Sequence, residues 1–291
     1  MEHLINGSLL TTRVDVHLVG VGGNGAQMAA CLARLDIAMK ALGHPHGLHV
    51  TAYDPDCVSE ANVGRQLYSP ADIGVNKAVL TVHRLNQFYG LDWDAEPRRY
   101  QHHGRDTFLA TRPHIVISCV DSAAARAHLH ARFFDDYNAP AYWLDLGNTE
   151  HSAQVVLGEP NAQRRQGAAS ERDTKDTYRA PRLPCITELF PSLLAPGPDE
   201  PNTPSCSVRV SLASQGLFVN DVAVRFAAQL LYELFSKGRL RQHGVLVNLD
   251  SKRSGPIDVD PLTWARFGYK APAHASTSDH DSDAVAPACP A

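Results

Sequence analysis

The first part of the chain alternates between short apolar runs and longer helical stretches. Residues 14–19 (VDVHLV) alternate loosely between apolar and polar side chains and predict a strand. Residues 26–42 are rich in alanine, leucine and methionine and predict a helix, and residues 48–53 (LHVTAY) predict a second strand. A strand, a helix and a strand in this order form a βαβ unit, which requires that the two strands lie parallel.

The same alternation continues along the chain. Apolar positions within residues 77–89 recur at helical spacing, and residues 115–120 (IVISCV) form an almost wholly apolar run that is typical of a central parallel strand. We therefore predict an α/β fold with a doubly wound, Rossmann-like, mostly parallel sheet, a late antiparallel extension and a long crossover loop. The other predicted elements are strand 95–100, helix 123–136, strands 141–146 and 152–157, helix 208–235, strand 245–249 and an edge strand at 255–260.

Two segments break this pattern. Residues 158–207 are rich in proline and contain a polar run, and we interpret them as one long crossover segment with little regular structure. Residues 271–291 are rich in alanine, proline, serine, aspartate and histidine, and they predict a disordered tail. We therefore expect one domain over residues 1–270, with the crossover segment inside it.

Composition argues against several classes of function. The chain has 291 residues, of which 44% are hydrophobic, and a formal net charge of -4, so we expect no strongly basic face for nucleic acid. No stretch approaches the roughly 20 apolar residues of a membrane-spanning helix. The first residues lack the basic region and long apolar run of a signal peptide. We expect a soluble, cytoplasmic protein that binds neither nucleic acid nor membrane.

A glycine-rich turn joins the first strand to the first helix. Gly20, Gly22 and Gly25 fit the pattern GxGxxG, in which glycines let the backbone approach a phosphate and the helix amino terminus offers N–H donors. Asp54 stands at the end of the second strand, where a carboxylate can accept hydrogen bonds from a ribose. These features indicate an adenosine-containing ligand and fit ATP and NAD equally. The alternative for the glycine motif is a tight turn without a ligand, and the alternative for Asp54 is a solvated aspartate in a turn.

Three charged residues favour ATP over NAD. The fork of Arg65 can hold phosphate oxygens, and Lys77, at the start of a helix, can place a positive charge on them. Asp121 follows a central strand, where ligands bind in open α/β sheets, so its carboxylate can hold Mg²⁺ beside a triphosphate. Breaking the bond between α- and β-phosphates needs such charges, whereas hydride transfer does not. Taken singly, the two cations also fit surface charges, and the carboxylate also fits a helix cap.

These residues together carry a family resemblance. The motifs GxGGNG, DxD, NxxRQ, GxxK and VDS, in this order within residues 14–260, resemble the adenylation domain of ThiF, MoeB and the ubiquitin-activating enzymes. Within that family, the chain is most similar to the ThiF-like member of bacterial PRTRC gene systems. The resemblance implies a homodimer that binds ATP and Mg²⁺, with the metal on Asp121. It implies nucleotide contacts for Gly22, Gly23, Asn24, Asp54, Asp56, Asn62, Arg65, Gln66, Lys77 and Asp121.

Two cysteines lie in the crossover segment, where members of the family carry a nucleophile or a zinc ligand. Cys206 stands just before the long predicted helix in a stretch that resembles the nucleophile's, and a helix amino terminus lowers the pKa of a thiol. The alternative for Cys206 is a small buried residue. Cys185 resembles a zinc ligand, but Arg182 stands where a CxxC pair would be completed. We therefore predict that Cys185 is packed in the interior, and we do not expect structural zinc.

The residues and the resemblance together predict ATP-dependent adenylation of the C-terminal carboxylate of a ubiquitin-like or sulfur-carrier-like small protein. Arg65, Lys77 and the metal on Asp121 would stabilise the developing charge, and Cys206 would then take the acyl group as a thioester. Two alternatives stay open: an NAD- or FAD-dependent oxidoreductase on the same fold, and a nucleotide-binding scaffold without catalysis. The sequence leaves open the identity of the protein substrate, the oligomeric state, and whether the cycle ends at adenylate, thioester or persulfide.

Overall fold

The structure, a computed structural model, describes residues 1–64, 66–100, 112–135, 139–160, 182–195 and 216–270. Its strands are β1 (His3–Leu4), β2 (Val14–Val19), β3 (Leu48–Tyr53), β4 (Asp94–Glu96), β5 (Ile115–Ser118), β6 (Tyr142–Asn148), β7 (Ser152–Gly158), β8 (Arg239–Leu240), β9 (Gln242–Asn248) and β10 (Arg253–Asp258). Its α-helices are α1 (Gly23–Ala41), α2 (Lys77–Tyr89), α3 (Ala123–Asp135), α4 (Ile186–Leu189), α5 (Val219–Lys237) and α6 (Pro261–Ala265).

Eight strands form one sheet in the order β10-β9-β7-β6-β5-β2-β3-β4. The five strands from β6 to β4 pair in parallel, and β7, β9 and β10 add antiparallel pairs beyond β6. The predicted doubly wound, mostly parallel sheet with a late antiparallel extension is therefore confirmed. Because β3 and β5 lie on opposite sides of β2, the chain reverses direction across the sheet there. Such a reversal opens a crevice at the carboxyl ends of the strands.

Helices cover both faces of this sheet. On one face, α1 packs against α5, where the small side chains of Ala33 and Ala227 are fully buried. On the other face, α3 buries Phe133 against Trp143 of β6. Neighbouring residues of β6 alternate between the two cores, since Leu144 joins the first and Trp143 the second. Burial on both faces explains why the central strands have almost continuous apolar sequences.

The helix before the last strands begins later than the sequence predicts. The prediction was a helix over residues 208–235, but α5 begins at Val219. The backbone N–H of Gly216 donates to the carbonyl of Glu150 at 2.9 Å, which ties the approach to α5 to the β6–β7 turn in a non-helical conformation. Residues 208–215 lie outside the described residues.

The fourth strand is shorter than the predicted strand 95–100. It ends at Glu96 because Pro97, which follows, has no N–H to donate to the ladder. The hydrophobic pattern also missed β1, β8 and α6, which are too short to have a period. Strands 14–19 and 48–53 and helix 77–89 have the predicted bounds.

Of the predicted crossover segment, the structure describes residues 158–160 and 182–195 only. Residues 182–195 contain α4 and a 3₁₀ helix (Pro191–Leu194), so this part has more regular structure than predicted. The predicted tail over residues 271–291 lies outside the described residues. None of the helices that the structure describes is both long and apolar enough to cross a lipid bilayer.

Candidate functional site

A cavity of about 760 Å³ opens at the carboxyl ends of β2, β3, β5 and β6. The first turns of α1, α2 and α3 contribute to its wall, and the 3₁₀ helix of the crossover segment contributes Ser192 and Leu193. It is the place where ligands bind in open α/β sheets. The predicted site residues that line it are Gly20, Gly22, Gly23, Asn24, Asp54, Asp56, Gln66, Lys77 and Asp121.

The glycine turn is compact for two steric reasons. Gly20 has a φ of 86°, in the left-handed region, and a Cβ there would lie 2.8 Å from the carbonyl oxygen of Cys119. A Cβ at Gly25 would overlap the carbonyl oxygen of Gly20. At Gly22, by contrast, the nearest atom to a Cβ would be Gln66 Nε2 at 3.8 Å. Gly22 therefore keeps the cavity open beside the backbone, as phosphate binding requires.

Asp54 and Tyr68 hold the turn from two sides. The N–H of Val21 donates to Asp54 Oδ2 at 2.6 Å, and the N–H of Asp56 donates to Asp54 Oδ1 at 2.8 Å. The hydroxyl of buried Tyr68 donates to the Val21 carbonyl at 2.6 Å. Burial raises the pKa of the Asp54 carboxyl above its usual value, and the two backbone donors oppose that shift. Asp54 thus fixes the glycine turn, and each of its oxygens keeps a second lone pair for a ligand.

Asn76 positions Lys77 at the cavity. Asn76 Oδ1 caps α2 by accepting from the N–H of Val79 at 3.1 Å, while Nδ2 donates to the carbonyls of Asp54 (2.9 Å) and Asp56 (3.1 Å). Lys77 is buried, and its Nζ lies 3.5 Å from Asp56 Oδ2, whose side chain is 68% exposed. Such a long contact to an exposed carboxylate leaves the ammonium group able to pair with a bound anion. The sequence prediction missed Asn76.

Four carboxamide side chains in the cavity wall have buried atoms without a hydrogen-bond partner. The atoms are Asn24 Oδ1, Gln66 Oε1, Asn148 Nδ2 and Asn220 Nδ2. Leaving a buried polar group unpaired costs about 1–3 kcal/mol, so a cluster of them indicates a polar ligand. Asn148 and Asn220 were missed by the sequence prediction, because no sequence motif connects the end of β6 with the start of α5.

Asp121 lies at the mouth of the cavity, immediately before α3. Ser122 caps this helix, since its Oγ accepts from the N–H of Ala125 at 3.2 Å. The helix cap that was the alternative interpretation of Asp121 is therefore formed by Ser122. Asp121 is exposed and follows the carboxyl end of β5. Among the described residues, no three acidic, histidine or cysteine side chains come together as a metal site. A lone carboxylate nevertheless suits Mg²⁺, which takes most of its ligands from phosphates and water.

Arg126 is a charged residue of the cavity wall that the sequence prediction missed. It is buried one turn into α3, five residues after Asp121, and its Nε donates to Asp145 Oδ2 at 3.2 Å. Its Nη2 donates to the carbonyl of Val120 at 3.2 Å. Asp145 lies in β6 and is fully buried. This ion pair connects the helix that follows Asp121 to the central sheet.

Two predicted site residues that the structure describes, Asn62 and Gly25, are not among those that line the cavity. Asn62 is buried, and its Oδ1 accepts from the N–H (2.9 Å) and the hydroxyl (3.1 Å) of Ser59, which stabilises the turn before position 65. Gly25 packs against the backbone of the glycine turn. Arg65 and Cys206 lie outside the described residues, so their roles stay predictions.

Cys185 is packed in the interior, as predicted. It is fully buried against Gly158, and burial raises the pKa of its thiol well above the usual value. Arg182 stands three residues before Cys185, where a CxxC pair would be completed. It has ion-pair and hydrogen-bond partners of its own. Its guanidinium donates to both carboxylate oxygens of Glu188 and to the hydroxyl of Tyr269 at 3.2 Å. This cluster ties the crossover segment to the end of the described chain.

The comparison with protein families covers most of the chain. The model of the ThiF family matches residues 8–258. The chain belongs to the ThiF family. The match includes the glycine turn, the Asp54–Lys77 segment and Asp121, and it extends to β10 of the antiparallel extension. The comparison of this ThiF-family sequence with curated proteins gives no match.

Solved structures with the same fold include PaaA and E. coli MccB. PaaA is 16% identical with a TM-score of 0.51, over 84% of this chain and 64% of PaaA. MccB with MccA is also 16% identical with a TM-score of 0.51, over 84% of this chain and 63% of MccB. MccB with ATP is 14% identical with a TM-score of 0.50, over 84% of this chain and 64% of MccB. The ThiF-family chain thus spans less than two thirds of the length of these proteins, with which it shares the fold.

Proposed function

We propose that this chain is an ATP-dependent adenylating enzyme that acts on the C-terminal carboxylate of a ubiquitin-like or sulfur-carrier-like small protein. One observation carries the proposal: the buried cation of Lys77 lines the same cavity as the glycine turn and the carboxylate of Asp121. Triphosphate cleavage needs a fixed positive charge and a metal ligand beside the phosphates. A hydride-transfer enzyme would have no use for either group.

The adenosine half of ATP would lie on the β3 side of the glycine turn. Asp54 stands at the end of β3, where a carboxylate accepts from ribose hydroxyls. The rings of Tyr53 and Tyr100 line the cavity beside it, with their centroids 4.9 Å apart in an edge-to-face arrangement. They offer apolar surface to the adenine base. The α-phosphate would then reach the N–H groups of Gly22 and Gly23 at the start of α1.

The proposed chemistry is attack of a carboxylate on the α-phosphorus. A carboxylate oxygen of the substrate forms the new P–O bond, the bond to the oxygen that bridges the α- and β-phosphorus breaks, and pyrophosphate leaves with the electron pair. Lys77 and Arg65 would stabilise the negative charge that develops on the phosphates. Mg²⁺ on Asp121 would neutralise charge on the leaving pyrophosphate.

The later steps and the assembly are also proposals. The Cys206 thiolate would attack the acyl carbon of the adenylate, so that AMP leaves and a thioester forms. The resemblance to the ubiquitin-activating enzymes supports a homodimer, and the motif set supports membership of the PRTRC group. The solved structures of MccB with ATP and with MccA support binding of a nucleotide and a second ligand to this fold.

Exchange of radiolabelled pyrophosphate into ATP tests the proposed function. The chain would be incubated with MgATP and each of a panel of purified ubiquitin-like and sulfur-carrier proteins from the same genome. We expect exchange with at least one of them, because adenylate formation is reversible, and we expect none after removal of that protein's last residue. Absence of exchange together with tight NAD binding would favour an oxidoreductase, and ATP binding without exchange would favour a scaffold.

A further inference from the structure

Three of the unpartnered carboxamides lie on one side of the glycine turn. Asn24 lies in the first turn of α1, Asn148 ends β6, and Asn220 lies in the first turn of α5. Asp54 and Lys77, in contrast, follow β3 and begin α2. The sheet order places β3 and β6 on opposite sides of β2. Asn148 and Asn220 therefore lie on the other side of the glycine turn from Asp54 and Lys77, and Asn24, for which the resemblance implies a nucleotide contact, bonds to Asn148.

Two of these side chains form a pair that leaves one donor and one acceptor. Asn24 Nδ2 donates to Asn148 Oδ1 at 2.7 Å, while Asn24 Oδ1 and Asn148 Nδ2 are buried without a partner. Turning both carboxamides around would preserve the bond and again leave one acceptor and one donor. The side-chain chemistry that faces a ligand is thus the same in either orientation.

Asn220 adds a second donor. Its Nδ2 has no partner, and its carboxamide packs directly on the glycine turn, since a Cβ at Gly23 would overlap it. Asn24 is 7% exposed and Asn220 only 1% exposed, so water has little access to either. Together, Asn24, Asn148 and Asn220 form a neutral site with one acceptor and two donors, which we name the carboxamide subsite.

We propose that the carboxamide subsite binds a main-chain amide of the substrate tail, next to the carboxylate that is adenylated. A peptide unit has one N–H donor and one carbonyl acceptor, which match the free acceptor and the free donors. A phosphate or carboxylate has acceptors only and would leave the free carboxamide oxygen unpaired. The inference rests on the proposed function, because it assigns the β6 side of the same cavity to the peptide tail.

Acylated sulfamoyladenosines provide a direct test, since they resemble an acyl-adenylate and do not react. One probe is 5′-O-sulfamoyladenosine acylated with N-acetylglycine, which has one peptide amide. A second carries a levulinoyl group, in which a CH₂ replaces that N–H and the carbonyl is retained. The third is unacylated 5′-O-sulfamoyladenosine. The dissociation constant of each is measured by calorimetry with the full chain.

We expect the acetylglycyl probe to bind the wild-type chain about tenfold more tightly than the levulinoyl probe, because only the former pairs with the free carboxamide oxygen. In Asn24→Leu and in Asn148→Leu, which remove either the free oxygen or the bond that orients it, this ratio should fall to about one. Gln229→Leu on the exposed side of α5 is the matched control and should keep the tenfold ratio.

Two results would overturn the inference and leave the proposed function intact. One is equal affinity of the wild-type chain for the two acylated probes. The other is that both asparagine substitutions weaken the unacylated probe as much as the acylated ones, which would assign the carboxamides to the nucleotide. If none of the three probes binds, the proposed function itself is wrong and the inference falls with it.

Discussion

Replacing Lys77 by methionine is expected to slow ATP–pyrophosphate exchange by about 100- to 1,000-fold. Lys77 is the buried cation at the start of α2, held there by the cap that Asn76 forms. Methionine preserves most of the aliphatic stem and removes the charge, so the loss should appear in the rate of the chemical step. The measurement is the exchange rate at saturating ATP with the protein partner that supports exchange by the wild-type chain.

Lys237→Met provides the control for this substitution. Lys237 ends α5, its side chain is 57% exposed, and its ammonium group pairs with Glu233 of the same helix at 3.3 Å. It is not among the residues that line the cavity, so exchange should stay within about twofold of wild type, as for other exposed surface positions. A Lys77→Met chain that exchanges as fast as this control would show that the cation does not act on the phosphates.

Replacing Arg126 by leucine is expected to lower the free energy of unfolding by about 3–5 kcal/mol. Asp145 is fully buried in β6, and its Oδ2 accepts from Arg126 and from the hydroxyl of Ser118 at 2.6 Å. Without the guanidinium, the carboxylate is left in the interior without a counter-charge, which is far more costly than losing a surface pair. Denaturation by urea, followed by circular dichroism, measures the change.

Two further variants separate this effect from loss of packing. In Arg126→Leu with Asp145→Asn, the buried charge is gone while the acceptor for Ser118 remains, so most of the lost stability should return. Arg132→Leu changes an exposed arginine of the same helix and should alter stability by less than about 0.5 kcal/mol. If the double variant is no more stable than Arg126→Leu alone, the uncompensated charge is not the cause.

The sheet could be predicted because its strands are buried on both faces. A short apolar run such as residues 115–120 is compatible with few structures other than a buried strand. The glycine turn marks where the first strand ends. The charged groups Asp54, Lys77 and Asp121 could also be predicted, because each follows a strand end or begins a helix at a recognisable spacing. Their positions relative to the strand ends were enough to predict that they lie at the same edge of the sheet.

The rest of the cavity wall depends on contacts between distant parts of the chain. Asn148 pairs with Asn24, which lies 124 residues earlier in the chain. Asn220 contacts the glycine turn from a helix that follows the crossover segment. Tyr68 holds Val21 from a loop that has no periodic pattern. Such pairings follow from the packing of α1, β6 and α5, which no local spacing encodes. The shorter fourth strand and the late start of α5 likewise depend on a proline and on a single tertiary hydrogen bond.

The central claim is that the glycine turn, Lys77 and Asp121 bind one triphosphate. A crystal structure with α,β-methylene ATP and Mg²⁺ tests it most directly. We predict the ribose beside Asp54, the α-phosphate over Gly22, and Lys77 Nζ about 3 Å from a phosphate oxygen. A nucleotide bound in the opposite orientation, with its phosphates away from Lys77, would contradict the account.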